Sequence, residues 1–519
     1  MPRSPTAPLI PRSRPRFLSL HSYLRLGLVA ALTGLAGCAS QASLPAFPEG
    51  SAASPSAEEA PLPRIGVALL EDPPPPGDST TTKGWPGLEP EPPAGEAQPA
   101  PISNDVRAML ARPLTADAAV RIAMLNNREL RARLREVGVA RGHLLQAGLL
   151  PNPEIEIEVT PRQAELEHTH IELAIEYDLT SAILAPLRER AAGADLDAER
   201  YRAAGAAIDL GYSVRAAFYA VQASTRRLAI ANQSLDTLAA GRDAARALFE
   251  AGNVPEIDTA IQDAVYEAAR ITVAQVELEL LERRERLARL LGLSGSDLGL
   301  RVGGELAGAE GDLRVPAQAE TRALTASLEL AELRGRIAAA GGRAALARTE
   351  GAMPDISLGL KGEREDAHWQ VGAGLRVALP IFDRKQGVAA AAGAEREGLV
   401  ERYHGLAVDV RSALREARAR LVSAHLRARH YDRVVVPARK RVVDQTLLQY
   451  NAMQLGLFQL LEARRAELDA GLAAVEARRE YWTAKAELDA LLAGRRVQAT
   501  SQAAPAAVAS GAGNNEGGH

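Results

Sequence analysis

Two stretches of the chain place small and apolar residues in alternating steps of four and three. The first seam runs Leu210, Val214, Ala217, Val221, Ser224, Leu228, Ala231, Leu235, Leu238, Arg242, Ala245, Phe249. The second runs Tyr403, Ala407, Val410, Leu414, Ala417, Leu421, Ala424, Ala428, Tyr431, Val435, Ala438, Val442. A seven-residue period held this long marks a coiled-coil seam, and its many Ala and Ser positions let helix axes approach closely. Punctuation sets the ends. Pro186 suits a first helical position, Gly252 stops the helix near Glu250, and Pro255 opens the next. The expected helix 186–250 would be ~98 Å long, beyond any globular core. A second long helix is expected over 384–450, capped by Asp383 and kinked at Pro437. Shorter helices are expected over 116–149, with Thr115 as N-cap, and over 255–292 and 457–493. Two short helices stacked end to end match the length of one long helix.

Four other segments alternate with a period of two, the signature of strands with one greasy and one wet side. They are expected at about 153–160, 169–179, 354–362 and 368–380. On one face lie Ile155, Ile157, Val159, Ile171, Leu173, Ile175, Ile356, Leu358, Leu360 and Trp369. On the other lie Glu154, Glu156, Glu158, Glu172, Glu176, Asp178 and Asp355, with Lys361 and Arg376 as counter-charges. Strands of this length suit a membrane barrel, but four cannot close one, and open edges are costly in lipid. Three chains would supply twelve strands, within the usual barrel range. In that register the carboxylates line a pore and favour cations.

The elements come in the same order twice. Pro153 and Pro354 are 201 positions apart, as are Phe249-Glu250-Ala251 and Tyr450-Asn451-Ala452. The chain thus divides into a first repeat at 114–293, a linker at 294–315 and a second repeat at 316–494. The expected fold is mainly α with transmembrane β, internally duplicated, with a long coiled-coil barrel continuing a twelve-stranded trimeric barrel.

Composition adds a compartment. Basic residues before an apolar run from Leu26 to Ala36 make residues 1–37 a signal peptide, its run too short to span a bilayer. The chain's one cysteine, Cys38, ends that run in Leu35-Ala36-Gly37-Cys38, which resembles a bacterial lipobox. Lipidation there, with Ala39 next, points to the outer membrane. The Pro-rich stretch 38–113 is expected to be a disordered tether, and 495–519 a disordered tail. A net charge of −4 argues against nucleic acid. No nucleotide loop, triad or zinc motif appears, so neither an enzyme nor a cofactor or metal site is expected. The strand-hairpin ends carry Glu165, Glu167, His168 and His170, and Glu363, Glu365, Asp366 and His368. These residue types are metal-compatible but lack ligand spacing.

Over 114–494 the chain resembles the TolC-like outer membrane factor family. The resemblance rests on Leu114-Thr115, Asn126-Asn127-Arg128-Glu129-Leu130, Leu150-Pro151-Asn152-Pro153, Phe249-Glu250-Ala251-Gly252 with Ile257-Asp258, and Leu379-Pro380-Ile381-Phe382-Asp383. It implies a homotrimeric outer-membrane exit duct with a periplasmic helical tunnel. The partners it implies are a periplasmic adaptor protein and a proton-driven inner-membrane transporter. It also implies that the adaptor docks at the helix tips, here Gly252, Asn253, Val254, Pro255, Leu455 and Gly456. A gate is implied just beyond them, at Asp258 and at Gln459 and Glu462, which stand where the family has Asp-x-x-Asp. The acidic face tilts the substrate toward heavy-metal cations. A type I protein secretion duct and a non-transporting coiled-coil lipoprotein spacer are the alternatives.

Overall fold

The computed structural model describes residues 102–160, 170–293, 301–311, 313, 316, 318–365 and 368–497. The signal segment, Cys38, almost all of the tether, Glu165, Glu167, His168 and Asp366 lie outside the described residues. A short helix α1 (Asn104–Leu110) precedes the first repeat. That repeat comprises α2 (Ala116–Asn126), α3 (Arg128–Gly148), β1 (Glu154–Thr160), β2 (His170–Asp178), α4 (Leu179–Glu250) and α5 (Glu256–Leu291). The second comprises α6 (Ala319–Ala326), α7 (Leu328–Ala352), β3 (Asp355–Glu365), β4 (His368–Ala378), α8 (Gln386–His430), a π-helical turn (Tyr431–Val435), α9 (Val436–Asn451) and α10 (Leu457–Leu492). The element order therefore recurs across the two halves.

The strands form one antiparallel sheet in the order β1-β2-β3-β4, so β2 and β3 join the two repeats and β1 and β4 are edges. Thr180 pins this junction. Its Oγ1 donates to the Pro354 carbonyl at 3.1 Å and accepts from Ile356 N–H at 2.7 Å.

Beneath the sheet, α4 packs along α3, α5, α7 and α10, and α8 packs along α7 and α10. Both seams are buried along much of their length. Val214, Ala217, Val221 and Ser224 are buried in the first; Val410, Leu414, Ala417, Leu421, Ala424 and Ala428 are buried in the second. Val214, Val221, Leu287 and Leu291 share one core with Val106, Leu114 and Ile122.

Several boundaries differ from expectation, each for a physical reason. The long helix starts at Leu179, not Pro186, because Asp178 caps it by accepting from Ser181 N–H at 2.8 Å. Pro186 then lies inside the helix, where it can make no bond to the carbonyl four residues back. Arg188 donates at 2.8 Å to the nearby Ser181 carbonyl. The expected helix 116–149 is two helices, because Asn127 caps the second by accepting from Leu130 N–H at 2.9 Å. Ser327 does the same for α7 in the second repeat.

The helix expected over 384–450 begins at Gln386, after Lys385 in a left-handed conformation (φ 53°). Asp383 accepts from Lys385 N–H at 2.8 Å instead of capping the helix. A π turn just ahead of Pro437 takes the place of a simple kink, and the extra residue per turn rotates the helix face. The second seam fails beyond it: no residue of α9 is buried, and Val442 is 48% exposed.

The tether and tail are also shorter than expected. Val106 of α1 is buried, and Arg495 and Arg496 pair with Asp209, Glu329 and Asp409. The inter-repeat segment is built into the bundle as well. Leu114 N–H donates to Arg301 O, Gly303 N–H donates to Leu114 O, and Trp482 Nε1 donates to Ala307 O.

Candidate functional site

The pairing register decides which side chains share a face. Glu154 pairs with Glu176, Glu156 with Ala174 and Glu158 with Glu172. Glu172 pairs onward with Glu363, Ala174 with Lys361 and Asp178 with Ser357. Side chains of directly paired residues point to the same side of a sheet. The seven carboxylates named from alternation therefore stand on one face, with Lys361 and Arg376. The opposite face carries Ile155, Ile157, Val159, Leu173, Ile175, Leu358, Leu360, Trp369, Val371, Leu375 and Val377, all exposed in a single chain. Val371 is 79% exposed. An apolar sheet face this extensive needs a cover. Among the described residues no helix is long and apolar enough to cross a membrane.

The acidic face is less bare than its composition suggests. Lys361 Nζ lies 2.7 Å from Glu172, and Arg376 Nη1 lies 2.6 Å from Glu176. Asp178 is engaged as a helix cap. Of the seven, Glu154, Glu156 and Glu158 on edge strand β1, and Asp355 at the start of β3, remain on this face. Among the described residues no group of three or more His, Cys, Asp or Glu is placed to hold a metal ion.

At the other end of the long helices the two tips are built alike. After α4, Gly252 N–H donates to Phe249 O and Asn253 N–H to Leu248 O. After α9, Met453 N–H donates to Tyr450 O and Gln454 N–H to Gln449 O. Both are Schellman closures, which require a left-handed residue at the turn. Gly252 has φ 72° and Met453 has φ 56°. Methionine thus occupies a conformation suited to glycine, with its side chain 95% exposed.

Val254, Pro255, Leu455 and Gly456 continue these turns into α5 and α10. Asp258 sits in the first turn of α5. Gln459 accepts from Gly456 N–H at 2.6 Å and so completes a capping box at the start of α10. Glu462 is exposed one turn farther along the same helix. The tip residues and the gate candidates are neighbours at the bundle end, and the acidic sheet face is at the opposite end of α4.

Several structural residues escaped the pattern analysis. Asn126 Nδ2 donates to the Leu291 and Gly292 carbonyls, and Asn127 Nδ2 to that of Leu290. The Asn-Asn pair thereby closes the end of α5; the two side-chain amides next to a helix start were the available signal. Inside the bundle, Arg478 grips Asp432 of the π turn at 2.8 Å, and Arg420 pairs with buried Glu487. Burial tends to raise the Glu476 carboxyl, but Arg479 beside it, with Arg227 and Arg283, holds it below the ordinary carboxylate value.

Comparison with known proteins meets this geometry directly. Residues 119–293, nearly all of the first repeat, match the family model described as outer membrane efflux protein. Residues 119–293 therefore carry the match to an outer membrane efflux protein domain.

This chain is similar to the cobalt-zinc-cadmium resistance protein CzcC of Cupriavidus metallidurans. It is 25% identical over 400 residues, covering 74% of this chain and 90% of CzcC. The outer-membrane channel OprN superposes with a TM-score of 0.63 at 18% identity, covering 76% of this chain and 94% of OprN. CusC gives 0.63 at 17% identity, covering 77% and 98%. The Neisseria gonorrhoeae MtrE outer membrane channel gives 0.63 at 17%, covering 74% and 90%. The chain has the fold of these channels.

Proposed function

We propose that this efflux protein is the outer-membrane exit duct of a tripartite pump. Three copies join edge β1 of one chain to edge β4 of the next and close a twelve-stranded barrel. The observation that carries this is the four-stranded sheet itself: two open edges, one acidic face and one uncovered apolar face. Closure satisfies the edges, lipid covers the apolar face, and water fills the acidic interior. The long helices extend the duct into the periplasm. Their tips, Gly252 to Pro255 with Leu455 and Gly456, dock an adaptor that links to a proton-driven inner-membrane transporter. Asp258, Gln459 and Glu462 form the constriction. Conduction is passive and involves no catalytic step. Cys38 carries the lipid that tethers the chain to the membrane.

Heavy-metal cations are the proposed cargo. Glu154, Glu156, Glu158 and Asp355 supply a cation-attracting lining, and the similar protein CzcC is a cobalt-zinc-cadmium resistance protein.

The test is conductance across planar bilayers. The wild type should prefer cations, and Glu154, Glu156 and Glu158 replaced together by Gln should weaken that preference. Ile157→Arg on the opposite face should impair insertion, at a cost of ~2–4 kcal/mol near mid-membrane. A stable monomer with full strand content in native mass spectrometry would overturn the trimer. Mass spectrometry of the mature N-terminus tests the lipid: a chain that does not begin at modified Cys38 removes it. Loss of the chain should raise cellular cadmium or zinc, and unchanged metal content would remove the cargo assignment.

A further inference from the structure

The place where the second repeat's helices meet the sheet holds a cleft. Helix α7 ends at Ala352, and the chain leaves β4 through Leu379-Pro380-Ile381-Phe382 to reach α8. These two segments are pressed together at Gly351. A Cβ there would lie 1.8 Å from the Arg384 carbonyl oxygen, so only glycine admits the connection. The close approach leaves a cleft of about 580 Å³ lined by Arg348, Gly351, Pro380, Arg384 and Gln386.

Two arginines therefore line one cleft. Arg384 Nε donates at 3.2 Å to the Pro380 carbonyl, a neutral acceptor, and neither Arg348 nor Arg384 makes an ion pair among the described residues. Like charges held in one recess without an internal counter-ion favour an external anion. Around them stand apolar side chains that point into open space. Phe382 is 90% exposed, and Leu379, Ile381 and Val388 are exposed too. Leu379 also continues the alternation of Trp369, Val371, Leu375 and Val377, so it prolongs the sheet's apolar face. Cations immediately beyond an apolar, partly aromatic belt are the arrangement expected at a bilayer's headgroup level.

The first repeat offers a contrast. At the end of α3, the side chain nearest Gly148 is the carboxylate-bearing Glu189, with its Cδ 3.5 Å from a Cβ placed on that glycine. At the matching place the first repeat thus sets a carboxylate where the second sets arginines.

We propose that this cleft binds the phosphate headgroup of an anionic phospholipid, with Arg348 and Arg384 on the phosphate and Phe382, Ile381 and Leu379 along the acyl chains. The proposal rests on the membrane placement of the sheet described above. The lipid would fix the depth of the sheet and would appear once per chain.

Native mass spectrometry of the full chain in detergent tests this, using added palmitoyl-oleoyl phosphatidylglycerol and the matching phosphatidylcholine as probes. Flotation with vesicles of the same lipids is measured in parallel. The wild type should retain phosphatidylglycerol over phosphatidylcholine, and R348Q/R384Q should lower that retention about tenfold. R348K/R384K should keep most of it. R190Q, an exposed arginine that does not line the cleft, should change nothing. If the double variant misfolds, R348Q alone, on an exposed turn of α7, should still reduce retention about threefold.

Equal retention by wild type and the glutamine variants would overturn the site, as would displacement of the lipid by inorganic phosphate, which would make the ligand a free anion. Failure of the wild type to float would overturn the membrane placement and the site together. Flotation with unchanged lipid retention would remove the site alone.

Discussion

The two repeats solve the same packing problem differently. The first carries its long helix from Leu179 to Glu250 without a break, even through Pro186. The second interrupts its long helix with a π turn at Tyr431–Val435. Up to that point both seams bury small residues at matching places. Past it, Gly241 and Ala245 of α4 remain buried, while no residue of α9 is. The interruption is held by Arg478 of α10, which reaches Asp432 with two nitrogens. Two long helices at matching places in the element order can therefore differ in register, provided a neighbouring helix ties down the extra residue. The segment beyond such a break is held by fewer buried contacts, and it leads to the tip where Met453 takes the left-handed position that Gly252 holds in the first repeat.

Substitutions can break or sharpen this comparison, starting with the repeat ends. Gly494 has φ 100° and a Cβ there would lie 2.0 Å from Ala326 O; Gly292 has φ 67° and a gap of 2.6 Å to Asn126 O. Gly494→Ala should destabilise by about 3 kcal/mol, and Gly292→Ala by about 2 kcal/mol. Thermal unfolding of the two variants checks the order; equal losses would mean the ends are equally tight.

Arg478→Ala should cost about 1 kcal/mol, since the pair it breaks is partly solvated. Hydrogen exchange should quicken across Tyr431–Asn451 and stay unchanged over the corresponding end of α4. Uniform quickening in both would show that the π turn is not a separate unit.

Met453→Gly should stabilise by about 1 kcal/mol by removing a side chain from a left-handed position, and Gly252→Met should cost a similar amount. Denaturant midpoints give both values. A stabilised protein with weaker adaptor binding would assign the exposed methionine to docking.

The smallest effect is expected at Ser224, which stands in the first seam where the second has Ala424. Its hydroxyl is buried and has no hydrogen-bond partner in the described structure. Ser224→Ala should stabilise by about 0.5 kcal/mol. A loss of stability measured by the same denaturant titration would point to a partner for that hydroxyl in the closed assembly.

Much of this architecture is legible in local sequence. The strands lie within one to three residues of their expected ends because alternation reports burial directly, and a one-residue slip would exchange the faces. The tip at Gly252 and Pro255 was marked by residues whose backbone limits are intrinsic. Legibility failed where a partner distant in sequence decided the outcome. Pro186 is the local exception: it reads as a helix start, but Asp178 caps a helix that begins at Leu179. The run 116–149 reads as one helix, but Asn127 breaks it so that its amide can close α5. The tail at Arg495 and Arg496 reads as disordered, but Asp209, Glu329 and Asp409 hold it. Seven carboxylates read as one acidic lining, yet Lys361 and Arg376 each neutralise one.

The sequence by itself determined the periods and the two-faced strands, because each depends on neighbours a few residues apart. Tertiary structure decided which strands join the repeats, which charges cancel, where the second helix breaks, and which arginines share a cleft. Those outcomes depend on backbones that meet from positions far apart in the chain, as Gly351 meets Arg384, and no local pattern encodes that distance.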